Sequence, residues 1–165
     1  MTPARQPSTV RAPRDTPPPA FPLHVAGDAL LRAALEACRQ HERVAPLIEK
    51  GCAEAELREA AAVCELSDHH LAARTKDYEA VAAVGKGTTP DDFWRAANTL
   101  WHSSREYARR HRSCDALMTK LRKQLNAHSS DKFSEITLEY ELEASALLAL
   151  RQAIAAYRKL RPGME

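Results

Sequence analysis

The chain has 165 residues, 28% of them charged and 44% hydrophobic, with a formal net charge of +2 at pH 7. That is enough chain to bury one core without disulfide or metal staples, in the composition range of ordinary globular proteins. Arg5, Arg11 and Arg14 against Asp15 carry the whole net charge within residues 1–22, so residues 23–165 sum to zero, which argues against the net basic domain of a dedicated nucleic-acid binder.

Glycine is scarce, Ala, Leu, Glu and Arg are abundant, and no convincing alternating run suggests a strand, so helix is favoured over sheet. There is no apolar leader and no apolar run of membrane-spanning length, and membrane insertion is not expected. Cys38, Cys52, Cys64 and Cys114 lack the regular spacing of a secreted disulfide framework, so the expectation is a cytoplasmic protein with reduced thiols.

Residues 1–22 hold seven of the ten prolines. A segment so poor in apolar surface cannot offset its own ordering entropy, and it is expected to be a disordered arm with polyproline character at 17–22. Residues 23–165 form the folded domain. The first helix is expected to start near Asp28, an N-cap after Gly27, with Leu31, Ala34, Cys38, His41, Ala45 and Ile48 on its seam. Pro46 either kinks that helix, which then stops at Gly51, or ends it near Val44; Gly51 is the better terminator.

The second helix runs from about Ala53 to Val84, with Leu57, Cys64, Leu71 and Tyr78 recurring every seven residues, and Gly85-Lys86-Gly87 ends it. The third has the clearest start: Thr89 caps, Pro90 occupies the first turn, and Asp91 and Asp92 complement the helix dipole. It continues to about Ala127. After the polar group His128-Ser129-Ser130-Asp131, the fourth helix runs to about Leu160, stopped by Arg161-Pro162-Gly163. Three short connections between amphipathic helices predict an all-α, antiparallel up-down-up-down four-helix bundle, with long second to fourth helices and coiled-coil-type seams.

Two seams contain residues that do not belong in a plain apolar core. Phe93, Ala97, Leu100, Ser104, Tyr107, His111, Cys114, Met118, Leu121 and Leu125 alternate steps of four and three, as do Phe133, Ile136, Tyr140, Glu143, Leu147, Leu150, Ile154 and Tyr157. Such steps mark one buried stripe. Reflecting the chain about its turns brings Cys38, Cys64, His111, Cys114 and Glu143 to one height, with His41 a turn away. Thiols pack as small apolar groups, and a buried His beside a Glu can be a satisfied structural pair that sets helix register. The same residue types projecting from facing helices can also build a zinc or iron site, so Cys38, His41, Cys64, His111, Cys114 and Glu143 are the candidate ligands, and Cys38 with Cys64 a candidate redox pair.

His102 with Glu106, and His69 with His70, read as solvated surface. The basic second half of the third helix faces Glu135, Glu139, Glu141 and Glu143 on the fourth, and ion pairs account for it without nucleic acid. Trp94 and Trp101 sit beside the third seam; they either widen the core near Tyr78 and Val81 or form an aromatic interface strip. No phosphate loop, nucleophile elbow or dinucleotide fingerprint is present. The expected function is therefore a non-enzymatic helical interaction, adaptor or scaffold protein without a cofactor, working through a protein partner or self-association. The alternative is a metal-binding or redox-sensing bundle built on the polar layer, with zinc or iron bound.

Overall fold

A computed structural model describes residues 22–84, 91–123 and 130–162. They form four helices: α1 (Pro22–Glu49), α2 (Glu54–Val84), α3 (Asp91–Lys123) and α4 (Ser130–Leu160). The Pro-rich arm before Pro22, the Gly85–Gly87 stop, the Thr89-Pro90 start signal, His128, Ser129 and Gly163 lie outside the described residues.

The helices pack as two hairpins, α1 with α2 and α3 with α4. The contacts of α2 with α3 and of α1 with α4 close the ring; α1 and α3 approach across the diagonal, and α2 and α4 do not meet. A side-chain bond crosses each junction: His41 with Asp68, Tyr107 with Asp68, His111 with Glu143, and Asp28 with Tyr157. The predicted four-helix bundle is thus the observed fold.

The first helix differs from expectation at its start. It begins at Pro22, where a proline suits the first helical position because the N–H it lacks would have no intrahelical partner. Gly27 is buried inside the helix, and the position suits glycine because a Cβ there would run into the hydroxyl and ring of Tyr157. Asp28 is not a cap but a buried acid that accepts hydrogen bonds from the Tyr157 hydroxyl (3.0 Å) and from Arg161 Nε (3.1 Å) and Nη2. At the other end, α1 continues through Pro46. It closes on Gly51, whose φ of 62° lies in the left-handed region, with Cys52 N–H bonded back to Leu47 C=O at 3.3 Å. That six-to-one bond over a left-handed glycine is a Schellman closure.

The seams bury as their period requires over half of their length. Leu30, Leu31, Leu71, Tyr78, Leu100, Tyr107, Leu150 and Tyr157 are almost wholly inaccessible to solvent. These come from the N-terminal halves of α1 and α3 and the C-terminal halves of α2 and α4, and they pack in one cluster. Among the described residues, no buried side chain lies beyond Gln40 on α1, before Cys64 on α2, beyond Cys114 on α3 or before Ala146 on α4. Tyr140, on the predicted α4 seam, is accordingly exposed.

Two substitutions test this packing. Gly27→Ala would gain about 1 kcal/mol of helix propensity but overpacks against Tyr157, which typically costs about 1–3 kcal/mol and also displaces the hydroxyl from Asp28; its thermal melting temperature is expected to fall. Among the described residues the buried Tyr78 hydroxyl has no hydrogen-bond partner, and an unsatisfied buried donor costs about 1–3 kcal/mol. Tyr78→Phe is therefore expected to raise the melting temperature in the same assay.

Candidate functional site

At the inner edge of the buried core, five polar side chains from all four helices converge. The α2 seam is continuous when read at alternating steps: Cys64, Asp68, Leu71, Thr75 and Tyr78 are all buried. Thr75 and Ser67 return their hydroxyls to the backbone carbonyls of Leu71 and Cys64 (2.8 and 2.7 Å), so α2 meets these needs within its own turns. Asp68 has no such local partner. Its carboxylate instead reaches His41 Nε2 on α1 (Oδ2, 3.1 Å) and His111 Nε2 on α3 (Oδ2, 3.1 Å), with the Tyr107 hydroxyl 3.5 Å from Oδ1.

The Tyr107 hydroxyl also hydrogen-bonds with His41 Nε2. On the far side of His111, Nδ1 stands 2.6 Å from Glu143 Oε1 on α4. The His41 and His111 rings meet edge to face at 5.3 Å between centroids.

The protons can be placed from these contacts. Glu143 accepts from His111 Nδ1–H, so a neutral His111 would present the Nε2 lone pair to the Asp68 carboxylate. Two acceptors at 3.1 Å repel unless a proton stands between them. The surroundings favour a second proton on the ring: the hydrogen bond to Glu143 raises the His111 pKa above its ordinary value, burial opposes it, and the negative charge of Asp68 adds to the rise. Burial acts to raise the Glu143 carboxyl, but hydrogen bonds from His111 and Cys114 outweigh it and hold the group below the usual carboxylate range. Tyr107 is pushed far upward by burial and by the Asp68 and Glu143 charges, which keeps its hydroxyl a donor.

The structure brings His41, His111 and Glu143 together and keeps the thiols at the margin. Cys114 hydrogen-bonds with Glu143, and burial, with that bond, pushes its pKa up to about 12. Burial also raises Cys38 and Cys64. All four cysteines are free. Among the described residues, the group of three whose ligating atoms all lie within 4.8 Å of one another is His41, Asp68 and His111. Asp68 was the missing member in the sequence; its place four residues after Cys64 and three before Leu71 is the signal that identifies it.

Trp94 and Trp101 are half-buried and pack against the core beside Val81 and Ala82. The Arg105 guanidinium lies 5.5 Å from the Trp101 ring centroid. Larger exposed apolar side chains stand elsewhere, on the outward faces of α2 (Val63, Leu66) and α4 (Leu138, Tyr140, Leu148). Val63, Leu66, His69 and His70 line a shallow groove of about 530 Å³ with Glu36 of α1. Of the cross-helix charge pairs expected between α3 and α4, Arg110 with Glu139 (3.5 Å) and His111 with Glu143 are formed. Among the described residues, no helix is long and apolar enough to cross a membrane.

No family model, curated protein or solved structure matches this chain. The fold and the layer therefore define it as a four-helix bundle with a polar clasp between its hairpins.

The clasp makes stability depend on pH in a stated direction. The raised His111 pKa contributes stability that is complete below its unfolded value of about 6.5 and is lost as pH rises through the folded value. The lowered Glu143 pKa contributes stability present above its unfolded value of about 4.3 and lost as pH falls through the folded one. In chelator, the melting temperature is expected to be higher at pH 6 than at pH 8, and Glu143→Gln to flatten that slope.

Proposed function

We propose that this chain is a non-enzymatic helical interaction protein that associates through the outward faces of α2 and α4. The observation that carries this reading is the exposure of Leu66 (72%) and Leu148 (56%) on those two helices. Val63 stands one turn before Leu66, and Tyr140, Ala144 and Leu148 follow one another at steps of four, so each face is a stripe rather than a scatter. Large apolar surface left in water on one side of a helix favours association. Because α2 and α4 lie across the long diagonal, their outer faces point away from the bundle on opposite sides, a shape suited to an adaptor or to side-by-side assembly of copies.

Leucine anchors on α2 and α4 fit this role better than Trp94 and Trp101, which are committed in part to the core. Four free thiols, three of them buried, are compatible with the reducing cytoplasm.

Light scattering coupled to size exclusion tests the proposal on the full chain. The wild type is expected to run as a dimer or larger at tens of micromolar, and the double variant Leu66→Glu, Leu148→Glu as a monomer with an unchanged helical circular-dichroism spectrum. A wild-type monomer at every concentration, indistinguishable from the double variant, would defeat it.

A further inference from the structure

We propose that His41, Asp68 and His111 form a binding site for one divalent transition-metal ion, with zinc the best-suited ion and Glu143 the positioning residue. This inference is independent of association through α2 and α4. The three side chains come from three helices, and their ligating atoms all lie within 4.8 Å of one another. Both imidazole Nε2 atoms stand 3.1 Å from the same Asp68 oxygen. With metal–ligand distances of about 2.0–2.1 Å, neighbouring ligands of a tetrahedral ion are about 3.3–3.4 Å apart. The two imidazole-to-carboxylate edges are thus within a few tenths of an ångström of that spacing, and the third edge, between the imidazoles, is at most 4.8 Å.

The donor set points the same way: one Asp68 oxygen faces the Nε2 atoms of both imidazoles, so three ligating atoms from three helices surround one point. Glu143, 2.6 Å from His111 Nδ1, takes the place that a carboxylate commonly occupies behind a metal-bound imidazole: it fixes the tautomer and aims the Nε2 lone pair at the ion.

Two imidazoles and one carboxylate are borderline donors that suit zinc, iron(II) or cobalt(II) better than calcium or magnesium. The Tyr107 hydroxyl, in contact with His41 Nε2 and 3.5 Å from Asp68 Oδ1, is held as a donor beside the three ligands. The site is reachable, since the His111 side chain is 31% and that of His41 22% exposed. The thiols are not ligands in this arrangement, in contrast to the set suggested by helix register.

The test uses the full-length chain stripped with chelator and titrated at pH 7 with zinc chloride by calorimetry, and with cobalt(II) by absorption. One ion per chain is expected. Glu143→Gln should weaken zinc binding about 10–100-fold, and His41→Gln with His111→Gln should abolish it. His69→Ala with His70→Ala, on the exposed α2 surface, should leave the affinity unchanged, as should the double variant Cys38→Ser, Cys64→Ser.

If the histidine variants lose their helical spectrum, the cobalt complex of the wild type decides. Visible ligand-field bands without a thiolate charge-transfer band support nitrogen and oxygen ligation. A thiolate band, loss of binding in the cysteine variant, retention of full affinity in a folded double-histidine variant, or no uptake of either ion by folded wild type would each overturn the proposal.

Discussion

The contact on which this bundle depends is the line Glu143–His111–Asp68–His41, which ties the α3–α4 hairpin to the α1–α2 hairpin where the dry core stops. Within each hairpin a short connection and a long shared interface hold the helices together. Between hairpins the apolar contact covers only half of the length, so what sets their relative height is a set of groups that must find partners across the junction. A slip of one helical turn, about 5.4 Å, would leave Asp68 facing no imidazole and His111 without its carboxylate. Each stranded group in a low-dielectric setting is costly, whereas the correctly paired set adds little net stability over apolar packing. The clasp therefore specifies register more than it strengthens the fold.

A second polar tie stands at the opposite edge of the core, where Asp28 accepts from Tyr157 and Arg161. Asp28 and His41 are 13 positions apart on α1, about 20 Å along a helix, and the buried Leu30, Leu31, Ala33, Ala34 and Ala37 lie between them. The hairpins are thus joined by ionic contacts, among them Asp28 of α1 with Arg161 beyond α4 and Asp68 of α2 with His111 of α3. The core is filled unevenly in cross-section. Ala33, Ala34 and Ala37 on α1 and Ala97 and Ser104 on α3 are buried, which lets those two helices approach across the diagonal. Tyr78 on α2 and Tyr157 on α4 are long enough to fill the wider one.

This rhombic packing links the polar layer to the exposed apolar stripes. Drawing α1 and α3 together places His41 beside Tyr107 and His111, and so assembles the layer. Pushing α2 and α4 apart turns their outer faces to solvent and leaves Leu66 and Leu148 uncovered by the described residues. The helix that supplies the central carboxylate of the layer is also one that presents an apolar stripe. The buried face of α2 is narrow and half polar (Cys64, Asp68, Leu71, Thr75, Tyr78), which is why part of its hydrophobic complement lies outside the core.

Four helices, their seams and the Gly51 closure were legible in the sequence, because backbone sterics and a repeat of four and three act locally and do not depend on what a helix packs against. Two of the three members of the His–Asp–His layer and its supporting Glu143 were also legible, as polar residues on apolar seams. Tertiary structure alone decided the rest. It put Asp68 at the centre and the thiols at the margin, turned Asp28 from a cap into a buried acid, and ended the dry core at Cys64 and Cys114. Periodicity tells which face a helix can bury, but not how far a neighbour stays in contact with it. A difference of a few ångströms across a hairpin junction determines whether an ionisable side chain is a partner, a ligand or a bystander.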